Sequence, residues 1–207
     1  MPPVRLVYWL LLGVGVMAQA EPVFVDHGVG SRAVESRGVA AVHTPDGQNL
    51  VIALSLDEGP RGWLLVTDID GGQTEQVYFP EEVETSLVRT HFASLVASTG
   101  RFYTAAGPEL LEFDPATRRF LFHGPLPSPT ATWIVDYAFA EAPDGVIFAG
   151  TTPDCHLISY DPATQRLTDH GRMDPREEYP RFMAFDAAGW LYCGIGNARG
   201  NIVAFNP

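Results

Sequence analysis

Four side chains of this 207-residue chain have the chemistry for proton transfer and fall in segments that read as connections or their edges: His91, Tyr137, His156 and Tyr179. An imidazole or a phenol serves as base or acid when its pKa is matched to the group it exchanges with. Arg89 and Arg181 lie close to them in the chain, and a guanidinium fork holds a carboxylate through two parallel hydrogen bonds. A base, an acid and a carboxylate clamp are the parts an elimination beside a uronate sugar requires. Trp133, Asn197 and Arg199 sit in comparable connections and complete the candidate set as substrate-binding side chains.

Each of these residues also has a plainer reading. A Tyr or Trp that opens an inner strand commonly packs its ring and satisfies its polar tip. His27, His123 and His170 recur within one short marker, which points to a single structural contact repeated. Glu177 and Glu178 are adjacent on an extended chain, so they point to opposite sides and make a poor acid and base pair. Asp114 and Asp161 read as turn formers. There is no local metal motif, although Asp and His from separate segments can converge without one. Cys155 and Cys193 stand 38 positions apart; one bridge and two buried free thiols are both open.

The elements that must position these groups are short strands in a repeat. Phe113-Asp114-Pro115-Ala116-Thr117 returns as Tyr160-Asp161-Pro162-Ala163-Thr164 after 47 residues and, cut short, as Phe205-Asn206-Pro207 after 45 more. Gly47, Gly100, Gly145 and Gly189 mark a second turn, at intervals of 53, 45 and 44. A strand-like run precedes and follows each Gly, and such runs between Gly, Pro and Asp turns signify an all-β repeat. Four strands per repeat of this length match the blade of a β-propeller. We label them A (before the Gly), B (after it), C (before the Asp-Pro turn) and D (after it). Whole blades are expected at about 38–80, 87–124 and 133–171, with a partial one at 180–207. In this architecture the D-to-A and B-to-C connections share one face, where functional side chains collect.

Residues 1–20 carry Arg5, an apolar run of 13 residues from Leu6 to Ala18, and Ala18-Gln19-Ala20. That is a secretory leader with its cleavage site, too short to span a membrane. The expected address is the periplasm or outside the cell, with no stable membrane insertion after cleavage and the propeller domain occupying 21–207. Without Arg5 the chain has 12 basic against 25 acidic residues, a field that opposes nucleic acid and anionic surfaces. Val23-Phe24-Val25-Asp26-His27-Gly28 resembles a D strand with no blade of its own before it. Since Pro207 stops inside the Asp-Pro-Ala-Thr turn, the expectation is an N-terminal fragment of a larger propeller. The alternative is a four-bladed ring that residues 22–28 close as the outer strand.

Through Tyr160-Asp161-Pro162-Ala163-Thr164 and Thr168-Asp169-His170-Gly171 the chain resembles the bacterial kelch-like and quinoprotein-like propellers. Where their turn ends in Gly this chain has Arg118 and Gln165, a replacement expected to cost little. Families with such blades include polysaccharide lyases, virginiamycin B lyase, quinoprotein dehydrogenases and noncatalytic interaction modules, and fold does not choose among them. The tryptophans and adjacent cysteines that the quinoprotein resemblance implies are not recognisable, so no cofactor is specified. The function expected is therefore a propeller that binds a carbohydrate or small polar ligand at its loop face, alone or as part of a polysaccharide lyase-like enzyme. The alternative is an interaction platform with a rim of exposed aromatics such as Trp63 and Trp133.

Overall fold

The computed structural model describes residues 35–56, 62–83 and 93–207. The leader, the segment 22–28, Arg89 and His91 lie outside the described residues. Those described form fifteen strands and no helix. The strands make four antiparallel sheets, each built from consecutive strands. The first holds β1 (Glu35–His43), β2 (Asn49–Leu56), β3 (Gly62–Asp68) and β4 (Thr74–Tyr78). The second holds β5 (Ser94–Val96), β6 (Phe102–Ala106), β7 (Glu109–Asp114) and β8 (Arg119–Pro125). The third holds β9 (Trp133–Glu141), β10 (Ile147–Thr152), β11 (His156–Asp161) and β12 (Arg166–Arg172). The fourth has β13 (Pro180–Phe185), β14 (Leu191–Ile195) and β15 (Asn201–Phe205), the A, B and C strands of the repeat. The all-β fold of four-stranded blades is as the repeat required.

Burial explains the composition of the strands. The apolar clusters lie between successive sheets: Ile52, Leu64, Leu111 and Phe113 between the first and second, Tyr103, Ile134, Ile158 and Tyr160 between the second and third, and Phe148, Leu157, Leu191 and Cys193 between the third and fourth. Each fully buried side chain of this size contributes about 1.5–3 kcal/mol. No blade hides this surface alone. β6 and β10 are buried along their whole length because a sheet covers each face, whereas β14 alternates buried and exposed. β1 touches β5, β5 touches β9 and β9 touches β13, so the A strands are innermost and the D strands form the rim. At Gly150 the third and fourth sheets approach closely: a Cβ there would overlap the ring of Pro180.

Two expectations need correction. Arg118 and Gln165 hold φ of 59° and 54°, so the turn does demand the left-handed backbone its Gly would supply. An L side chain there carries a penalty of about 1–2 kcal/mol. Nor do the marker histidines share one contact. His123 Nδ1 lies 3.2 Å from Glu109 Oε2, while His170 Nε2 meets Ser159 Oγ at 2.8 Å and its ring stacks on Phe148. The cause is a bulge placed differently in the two blades. The register slips at Leu121 in β8, where Glu112 pairs with Phe122 and Phe113 with Phe120. In β12 it slips at His170, where Leu157 pairs with Gly171 and Ile158 with Asp169.

Candidate functional site

On the face formed by the D-to-A and B-to-C connections, a cavity of about 410 Å³ lies between the third and fourth sheets. Its walls are Trp133 and Asp136 from β9, Thr152 at the end of β10 with Pro153 just beyond it, Glu178 and Tyr179 before β13, and Arg181 within β13. Both walls are shaped by breaks in register. In β9, Ile134 pairs with Thr151 and Phe139 with Ala149, which leaves Val135 to Ala138 opposite Gly150 alone. In β13 the pairing passes from Pro180↔Ile195 to Phe182↔Gly194, and Arg181 is the extra residue. Bulges of this kind re-aim side chains that a regular strand would keep in its ladder. Arg181 Nη2 donates to Tyr179 Oη at 3.2 Å, with the guanidinium carbon 5.1 Å from the ring centroid. A cation and a phenol are thus presented together beside the half-buried face of Trp133.

Three buried acids hold this face together. Asp154 accepts hydrogen bonds from Thr151 Oγ1 at 2.6 Å, from Thr130 Oγ1 at 3.1 Å and from Ser128 Oγ. Burial pushes its carboxyl up, and the hydroxyls of Ser128, Thr151 and Thr130 more than offset this, so it sits below the usual carboxylate value. The result ties the loop before β9 to the turn after β10. Glu177, 2% exposed, accepts the N–H groups of Asn197 at 2.7 Å, Ala198 at 3.1 Å and Arg199 at 2.8 Å, and those donors lower its pKa. Asp174 in turn accepts from the N–H groups of Arg176 and Glu177 and from Asn201 Nδ2.

Of the side chains singled out in the sequence, the cavity brings together Trp133, Tyr179 and Arg181. The other described ones, Tyr137, His156, Asn197 and Arg199, are placed elsewhere. His156 Nδ1 lies 2.9 Å and 3.0 Å from the two carboxylate oxygens of Asp169, within its own blade. Tyr137 stacks on Phe182 with centroids 5.4 Å apart and planes at 13°, both rings exposed on the inner strands. Asn197 and Arg199 occupy the turn whose backbone Glu177 clasps. Glu177 is buried and Glu178 is at the cavity, the divergence an extended backbone imposes. Phe182, the partner of Tyr137, carries no sequence signal beyond being one more apolar residue of an A strand. Trp63 is 1% exposed, so it contributes nothing to an aromatic rim. Among the described residues no group of three or more His, Cys, Asp or Glu is placed to hold a metal ion. Cys155 and Cys193 are both free and buried.

No family model matches the chain, and no curated protein matches it in sequence. Solved structures do resemble it. Virginiamycin B lyase from Staphylococcus aureus superposes with a TM-score of 0.57 at 13% identity, over 83% of this chain and 55% of the lyase. A protein of unknown function from Bacteroides caccae gives 0.52 at 15% identity, over 83% of this chain and 64% of its own. A structure described as the extracellular domain of a hybrid two-component system from B. thetaiotaomicron gives 0.51 at 13% identity, over 88% of this chain and 28% of that one. The chain spans about half the length of the lyase, 55% of it. At such identity the likeness shows the fold alone, and that fold is a β-propeller.

Proposed function

We propose that this propeller binds a small polar ligand of carbohydrate type in the cavity between its third and fourth sheets, outside the cytoplasm. The observation that carries the reading is the convergence of Trp133, Asp136, Tyr179 and Arg181, from two blades, on one concavity. Aromatic faces pack against the apolar face of a sugar ring, while carboxylate, phenol and guanidinium groups satisfy its hydroxyls or a uronate carboxylate. Secretion rests on the leader, with an extracellular domain among the structural neighbours in support. The kelch-like and quinoprotein-like resemblance belongs to the same reading and rests on the turn markers alone.

Binding is favoured over proton transfer by where the candidate groups lie. His156 is held by Asp169, and Tyr137 is stacked on Phe182. Tyr179 is then the one proposed proton-transfer group left in the cavity among the described residues, and one phenol does not supply both acid and base. Calorimetric titration with uronate-containing and neutral oligosaccharides tests this. Arg181→Ala is expected to weaken uronate binding by about tenfold, the loss of one charge-assisted contact, and Trp133→Ala to weaken both classes. Affinities unchanged in both variants, or no binding by the unmodified protein, would overturn the reading.

A further inference from the structure

A second cavity, of about 520 Å³, opens on the opposite face between the second and third sheets. Its lining includes Glu112 of β7, Tyr103 of β6 and the bulged Leu121 of β8, with Glu141, Asp144 and Asp161 from the neighbouring blade. Glu112 is 4% exposed. One of its oxygens accepts from Tyr103 Oη at 3.3 Å and the other from Tyr160 Oη, across the blade interface, at 2.8 Å. Both donors are neutral hydroxyls, and a carboxylate has about four lone-pair sites to fill. Among the described residues no Lys, Arg or His forms an ion pair with Glu112, Glu141, Asp144 or Asp161; Arg101, also in the lining, is paired with Asp114 at 2.7 Å.

A buried carboxylate without a counter-charge is expensive. The blade repeat shows that the fold does not need this one. Aligning β7 (Glu-Leu-Leu-Glu-Phe-Asp) with β11 (His-Leu-Ile-Ser-Tyr-Asp) puts Ser159 where Glu112 stands, and Phe148 replaces Tyr103. At that next interface Phe148 packs near Phe205, with centroids 6.2 Å apart, and Ser159 bonds His170. Ala204 holds the same position in β15. One blade interface therefore carries a buried carboxylate beside an open cavity, while at the same place in its sequel Phe148 packs near Phe205.

We infer that this cavity binds a small organic ammonium ion, whose charge meets Glu112 and whose apolar body lies along Leu121 and Pro162. The room, the apolar wall and the buried Glu112 carboxylate suit such a cation; Glu141, Asp144 and Asp161 already accept from Ser98, Val146, and Ala163 and Thr164, and add negative field around the opening. This site is independent of the loop-face cavity. The test uses benzylammonium as probe and benzyl alcohol as its neutral counterpart, titrated calorimetrically against the chain. Benzylammonium should bind saturably and benzyl alcohol should not. Glu112→Gln, which keeps the volume and removes the charge, should weaken benzylammonium by roughly tenfold or more. Ala163→Trp, at an exposed turn position in the lining, should weaken it similarly with an unchanged circular dichroism spectrum. Absence of binding to the unmodified chain, equal binding of the alcohol, or unchanged affinity in a folded variant overturns the assignment. If Glu112→Gln does not fold, Ala163→Trp decides by itself. Trp133→Ala should leave benzylammonium affinity intact, which separates failure here from failure of the carbohydrate reading.

Discussion

His156 Nδ1 lies 2.9 Å from Asp169 Oδ1, joining the start of β11 to β12, and the preceding blade has the same kind of link with acid and imidazole exchanged. There Glu109, the first residue of β7, meets His123 of β8 at 3.2 Å. Two blades that preserve a link while swapping its partners preserve a strand-to-strand tie. His156→Gln should therefore lower stability by about 0.5–1 kcal/mol, the range for a partly exposed pair. It should leave oligosaccharide affinity within about twofold, well under one decade of binding. Urea unfolding and calorimetry check the two halves. A collapse of binding with unaltered stability would return His156 to the ligand site.

Asp154 gives a sharper stability prediction. Asp154→Ala strands three hydroxyls, those of Ser128, Thr130 and Thr151, and should cost about 1–3 kcal/mol. The sign of its pH dependence follows from the lowered carboxyl. Because the folded form binds its proton less readily than the unfolded chain, the stabilisation is complete above the unfolded carboxylate value of about 3.9. It is lost as pH falls through the lower folded value. Asp174 and Glu177, lowered chiefly by backbone N–H groups, act in the same direction. Urea midpoints should fall below about pH 4, and less steeply in Asp154→Asn. Equal acid slopes in the two proteins would remove Asp154 from this account.

The blade repeat was legible because Gly and Asp-Pro turns recur at a fixed spacing and each has one physical use. The face on which a cavity would form was legible for the same reason, as was the presence of Trp133, Tyr179 and Arg181 there. What the sequence hid were the breaks in register. The slip at Gly150 sends Tyr137 to Phe182 rather than into the cavity, and no residue type announces it. The slip at His170 gives two similar markers different neighbours. Trp63, exposed by expectation, is buried because β3 carries apolar side chains toward both faces. Nothing in the run Glu-Leu-Leu-Glu-Phe-Asp announces that Glu112 faces the blade interface.

Cys155 and Cys193 should be inert in the folded protein. Burial pushes the Cys155 thiol up to about 11 and the Cys193 thiol up to about 12, from an ordinary 9.0. The thiolate is the reactive form, so little is present at neutral pH. A colorimetric disulfide reagent at about pH 8 should label neither thiol before unfolding and both after it, since the unfolded thiol titrates near 8.5. The same shifts place a fall in stability on the alkaline side: the folded state retains protons that the unfolded chain loses. Their contribution is intact below about pH 8.5 and declines as pH rises toward the folded values. Rapid labelling of the native protein would contradict the burial of both sulfurs.

Of the three non-glycine residues with a left-handed backbone, Arg118, Cys155 and Gln165, the two that follow the Asp-Pro turns separate backbone strain from side-chain contact. Gln165 and Arg118 hold nearly the same φ, 54° and 59°, after the two Asp-Pro turns. Glycine relieves the steric penalty of about 1–2 kcal/mol but loses more chain entropy on folding, worth about 0.5–1 kcal/mol. Gln165 also gives one bond to the neighbouring blade, from Nε2 to Leu121 O at 3.2 Å, at an exposed position where water competes. Arg118 holds more: Nη2 reaches Gln48 Oε1 at 3.2 Å, and Nε lies 3.5 Å from Glu75 Oε2 in the first sheet. Gln165→Gly should therefore stabilise by about 0.5 kcal/mol, the steric gain less the entropic loss, whereas Arg118→Gly should be neutral or destabilising. Thermal melts of the two variants side by side measure this. Equal shifts would mean that the Arg118 contacts to the first blade contribute nothing, and a loss of stability in Gln165→Gly would mean that its bond to Leu121 outweighs the strain of its backbone.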